Sequence, residues 1–189
     1  ASLPPAEIVL GMPRLMLPAA LALVLSSVAR GDDAPPSSFR LDVMPALSKA
    51  GCNMGACHGN LNGKGGFRLS LRGEDPAFDH VALTRDGLGR RVDTASPESS
   101  LIYLKPTGQV PHEGGLRFVP GSPEARAILA WIASGAKDDA ATAPKLADLR
   151  VEPSDLFLAP RGGERPSQQL TVTARFRDGT VRDVTRQAA

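Results

Sequence analysis

The feature that most constrains this chain is Cys52-Asn53-Met54-Gly55-Ala56-Cys57-His58-Gly59, which contains both of its cysteines. Two cysteines cannot make a multi-disulfide framework. They can form one local bridge, supply half of a metal site, or attach a haem. Attachment needs two thiols that each reach a vinyl group, and a histidine directly after the second to bind iron. The usual spacing places two residues between the thiols, whereas four stand here. Small Gly55 and Ala56 let the wider loop close, and the adjacent Cys57-His58 pair is kept. A Cys52–Cys57 disulfide beside a surface histidine stays open as an alternative, as does zinc. Zinc wants four ligands, and the remaining histidines, His80 and His112, do not form a ligand pair with each other.

The first thirty residues bear on which of these is possible. Leu15 to Ala29 is an apolar run preceded by Arg14 and followed by the polar Arg30-Gly31-Asp32-Asp33. That order reads as a secretory signal peptide, and the run is shorter than the roughly 20 residues of a membrane span. Met12-Pro13-Arg14 makes a natural signal start, so residues 1–11 read as upstream extension and the mature chain as beginning near Gly31 to Ala34. Export places the protein in the periplasm or at the cell surface, where disulfides persist and c-type haem attachment is possible. Lys and Arg number 22 against 20 Asp and Glu; this balance lacks the basic footprint of a nucleic-acid binder. Aromatic residues are 4% of the chain, lean enough that a prosthetic group could help to fill the interior.

After the polar Ala34 to Ser38, Phe39, Val43, Leu47 and Ala50 form a helical stripe. Pro45 belongs in the first turn of that helix, which starts near Asp42 or Val43 and ends at Gly51. Gly59 to Gly66 is turn-rich, and Phe67 to Arg72 alternates as a strand or extended segment. Asp75-Pro76 opens a short helix toward Leu83. Ser96-Pro97-Glu98 and Ser122-Pro123-Glu124 are two helix starts. The first helix ends at Pro106, while the second carries Trp131 as a core anchor and stops at Gly135. Beyond the linker-like Asp138 to Pro144, strands are expected at Leu149 to Val151, Leu156 to Leu158, Leu170 to Phe176 and Thr180 to Thr185, with Asp178-Gly179 as a hairpin turn. An Ig-like sandwich takes about seven strands, so this β segment reads as incomplete and the chain as a piece of a longer protein.

Residues 41–76, LDVMPALSKAGCNMGACHGNLNGKGGFRLSLRGEDP, and 96–136, which include VPHEGG, resemble the cytochrome c-like domain of planctomycete-type exported proteins. Residues 149–185 are similar to the opening strands of the bacterial Ig-like domain of group 2 that commonly follows it. The resemblance implies a mainly α cytochrome c-like domain with a short β or loop insertion, then an incomplete all-β Ig-like segment. The boundaries are 1–31 for extension and signal, 32–137 for the haem domain, 138–147 for the linker and 148–189 for the Ig-like start. One covalent haem c is expected on Cys52 and Cys57, with His58 on iron.

The sixth position needs a separate argument. No methionine follows Met54, so the usual downstream methionine ligand is ruled out. His112 lies at a suitable separation and is the candidate distal ligand; a loop histidine bonded to backbone, or a five-coordinate iron, are the alternatives. Arg90 and Arg91 are candidate propionate partners because an arginine fork matches a carboxylate. Lys105 and Arg117 are weaker candidates, and His80 reads as an exposed helix residue. No Ser/His/Asp constellation, phosphate loop or paired acids suggest an enzyme in this piece. The expected function is electron transfer to an unknown redox partner protein outside the cytoplasm. A non-haem interaction protein, or a haem sensor, is the alternative, with cell-surface or polysaccharide contact through the Ig-like segment.

Overall fold

The computed structural model describes residues 37–159, 163 and 166–188. The expected signal peptide and the expected start of the mature chain lie outside them. Among the described residues no helix is long and apolar enough to cross a membrane. Short helices come first, followed by a small three-stranded antiparallel sheet.

The chain enters through a wide π-helical turn, Phe39–Val43, which runs into helix α1, Met44–Lys49. Ser38 caps the turn by accepting from the Leu41 amide. Pro45, at the start of α1, has no N–H and crowds the carbonyl four residues back, and the wide turn lies just upstream of it. Phe39, Val43 and Leu47 are fully buried, as their spacing predicts. α1 closes with the Gly51 and Cys52 amides donating to the carbonyls of Ser48 and Leu47. Gly51, at φ +75°, takes the left-handed position such a termination requires. The end of α1 therefore fixes where Cys52 stands.

The Phe67 to Arg72 strand is realised as one isolated bridge at Phe67 and a short extended run. A 3-10 turn, Leu71–Gly73, ends it, because Arg72 (φ +55°) and Gly73 (φ +76°) reverse the chain. Helix α2 is Pro76–Thr84 and α3 is Leu101–Leu104, the latter preceded by a 3-10 turn at Pro97–Ser99. Helix α4, Pro123–Ala133, has both predicted ends. Ser122 Oγ accepts from the Ala125 amide, and Gly135 and Ala136 repeat the termination seen after α1. Trp131 is 1% exposed and its ring centroid is 5.1 Å from that of Phe39, so α4 packs across the entry turn. Leu69, Leu83, Ile128 and Ile132 complete the core.

Strands β1, Leu146–Glu152, β2, Thr171–Phe176, and β3, Val181–Asp183, pair in that order. Gly179, at φ +88°, makes the β2–β3 turn, and Asp178 accepts from the Thr180 amide. The strand expected at Leu156 to Leu158 does not form; Phe157 is 91% exposed there, and nothing pairs with this stretch among the described residues. Arg182 of β3 meets Asp42 of the entry turn at 2.5 Å, which holds the sheet against the helices. Asp138, in the expected linker, receives two hydrogen bonds from the Arg40 guanidinium, so this stretch is fastened to the entry turn.

Candidate functional site

The Cys52–His58 loop folds back on itself. The His58 amide donates to the Cys52 carbonyl at 3.0 Å, and the Cys57 and Gly59 amides both donate to Met54. Asn60 Nδ2 ties the loop from outside through the Gly55 and Cys57 carbonyls. Gly59 is required by space: a Cβ there would stand 1.9 Å from the Asn53 carbonyl oxygen. Asn53 is fully buried and donates to Ser48 Oγ, while its own Oδ1 has no partner among the described residues. The four-residue spacing is thus a closed loop with its two ends hydrogen-bonded together.

The two cysteines are free thiols in unlike settings. Cys52 is 9% exposed, and burial pushes its thiol up to about 11, against a smaller opposing pull from the Arg117 charge. Cys57 is half-buried, and Arg117 Nη2 donates to its sulfur at 3.5 Å. Arg117, a weak propionate candidate by sequence, lies beside the thiols.

His58 and His112 come together. Their ring centroids are 6.4 Å apart and their planes lie within 8° of parallel. His58 Nδ1 is 2.9 Å from the Phe67 carbonyl and His112 Nδ1 is 3.0 Å from the Gly115 carbonyl. In each ring Nδ1 therefore donates, and among the described residues neither Nε2 has a hydrogen-bond partner. An Nδ1–H held by a carbonyl fixes the tautomer and leaves Nε2 as the metal-binding atom. Two imidazoles bound through Nε2 on opposite sides of one metal, at roughly 2.0 Å per bond, would have centroids roughly 6 Å apart. The observed centroid separation of 6.4 Å is of that size, and the two parallel rings are stacked. Burial holds the His58 pKa below the ordinary histidine range, and the nearby His112 lowers it further. Burial thus favours the neutral imidazole of His58, the form that can bind a metal. His112 is also the backbone-bonded loop histidine that the sequence offers as an alternative; the two descriptions are compatible because they use different nitrogens.

The arginine pair divides. Arg91 is 7% exposed and donates to the carbonyls of Ala82, Asp86 and Gly66. Its guanidinium also lies 4.5 Å from the Phe67 ring centroid, and Phe67 in turn packs 4.6 Å from the His58 ring. In this position Arg91 buttresses the histidine through Phe67. Arg90 is exposed. Lys105 Nζ donates to the Pro111 carbonyl next to His112. His80 differs from the expected exposed residue: it is half-buried, edge-on to Phe39 and Trp131, and Nε2 donates to the Ala136 carbonyl at 2.8 Å. Its ring meets the core through Phe39 of the entry turn and Trp131 of α4.

An open pocket of about 370 Å³ has Val110, His112 and Leu116 in its wall. Leu116 is 61% exposed, which leaves apolar surface beside the histidine pair. Among the described residues, no three His, Cys, Asp or Glu side chains gather as a metal site. Sequence reasoning missed the buried Asp79, whose carboxylate accepts from the Ser70 amide and hydroxyl. It also missed that Arg117 stands beside Cys57. No family model, curated protein or solved structure matches the chain.

Proposed function

We propose that residues 32–137 form a c-type cytochrome domain that carries one covalent haem and transfers electrons outside the cytoplasm. The observation that carries this reading is the parallel His58–His112 pair, each ring tethered through Nδ1 and open at Nε2. Cys52 and Cys57 would hold the macrocycle, and His58 and His112 the iron. Bound haem supplies a one-electron couple. The chain's own contribution is to fix the tautomers, place the rings and exclude water from one side of the site. With no methionine on iron the potential would be lower than that of a His/Met centre. Arg90 is the exposed propionate candidate, and Arg91 supports the proximal side through Phe67. Strands β1–β3 are read as the opening of an Ig-like domain. Their antiparallel order, the Asp178-Gly179 turn and the exposed Leu149 and Val151 of β1 support that part of the proposal.

The test is expression behind an export signal in a bacterium whose haem-attachment machinery accepts a four-residue spacing, with a control cytochrome of that spacing matured in the same cells. The expected result is haem that survives acid-acetone extraction, gives a reduced pyridine spectrum and adds its mass to the intact chain. Cys52→Ala and Cys57→Ala should each lose at least one covalent bond. A chain without haem, alongside a matured control and two protons lighter than the reduced form, would favour the disulfide-bonded interaction module.

A further inference from the structure

Two adjacent glycines follow His112, and their reasons for being glycine differ. Gly115 has φ +70° and donates its amide to the His112 carbonyl at 2.9 Å, so its backbone conformation favours glycine. Gly114 lies outside the left-handed region, and an L-residue can adopt its conformation. Its constraint is space. A Cβ at Gly114 would stand 2.6 Å from His112 Cε1, 2.9 Å from Nε2 and 3.2 Å from Nδ1. The missing side chain is therefore directly against the ring, and closest to the edge that carries Nε2.

We propose that Gly114 is a positioning residue for the distal ligand, reserving the space in which the His112 imidazole lies parallel to His58 with Nε2 open. The proposal rests on the haem reading for its consequence, though its first test does not require haem. A methyl group at position 114 cannot share that space with the ring, since contacts this short are repulsive. The backbone can stay where it is, because Ala is permitted there. His112 is half-buried on a loop, and the atoms a Cβ would meet are at the far end of its side chain. It would swing away and break the Nδ1 bond to the Gly115 carbonyl. Gly114→Ala thus keeps the imidazole in the protein and removes it from its place, which His112→Ala cannot do.

The first measurement uses the haem-free chain and reads the His112 tautomer from long-range proton–nitrogen correlations. The wild type should show the Nδ1–H form set by Gly115. Gly114→Ala should revert toward the Nε2–H form favoured by free imidazole. Retention of the Nδ1–H signature in the variant would overturn the proposal. A second measurement covers a variant that folds poorly: the melting temperatures of Gly114→Ala in the wild-type and His112→Ala backgrounds. The substitution should cost stability with the ring present and little without it, whereas equal losses in both would overturn the proposal. In the haem-loaded protein, Gly114→Ala should lose the low-spin spectrum and regain it on adding imidazole. An unchanged spectrum would again count against Gly114. A wild type that takes up no haem would instead defeat the haem reading and leave the tautomer result standing.

Discussion

Cys52 and Cys57 differ in burial, although Arg117 acts on both, and this asymmetry has a measurable consequence. Burial raises the Cys52 thiol to about 11, so at pH 8 it remains protonated and unreactive. Iodoacetamide on the reduced, haem-free chain should therefore label Cys57 first, with Cys52 following only as the fold opens; equal rates in peptide mass spectra would contradict the described burial. The folded-state value lies above the ordinary one, so the stabilisation is present below about pH 9 and lost as pH rises through about 11. The loss is on the order of 2–3 kcal/mol and should vanish in Cys52→Ala, as read by urea unfolding. His58 has the opposite sign: its neutral form is favoured, and that contribution is lost on acidification below about 6.5. The thiols and His58 were legible in the sequence because their chemistry is written in adjacent positions. The commitment of Arg91 to three carbonyls was not legible, because the groups it meets lie up to 25 positions away.

At the scale of elements, what could be read was what is encoded locally. Ser122-Pro123-Glu124 and Gly135 bound α4 because a cap and a left-handed glycine act within one turn. Of the two readings of the Phe67 to Arg72 alternation, strand or extended segment, the extended segment forms, since a strand needs a partner and the chain reverses at Arg72 and Gly73. The Leu156 to Leu158 strand fails for the same reason: its residues are apolar, but no neighbouring strand pairs with them among the described residues. The closed cysteine loop shows the limit most clearly, because the need for glycine at 59 arises from Asn53, six residues earlier. Gly59→Ala should cost about 2 kcal/mol or more, as overpacking against rigid backbone does. Thermal unfolding of the haem-free chain checks this, and a melting temperature equal to that of the wild type would contradict the closed loop. Gly55→Ala is the control, since a Cβ there meets nothing within 4 Å.

For the molecule as a whole, the described helices enclose a small core around Phe39, Leu47 and Trp131, and the histidine pair stands beside it. The sheet is held to the helices by Arg182 on Asp42, with Gln187 reaching the same carboxylate at 3.4 Å. Lys49, in the last turn of α1, donates to the Arg186 carbonyl after β3, so two points fasten the sheet to the elements that lead into Cys52. The order of helices before strands was legible from the change in composition near residue 140, whereas this docking was not. In the proposed cytochrome, His58 and His112 share one iron. The most direct measurement is the visible and electron paramagnetic resonance spectrum of the haem-loaded wild type beside His112→Ala. The wild type should show a low-spin iron with two imidazole ligands, and His112→Ala should convert it to a high-spin form that added imidazole reverses. A low-spin spectrum unchanged by removing His112 would contradict it.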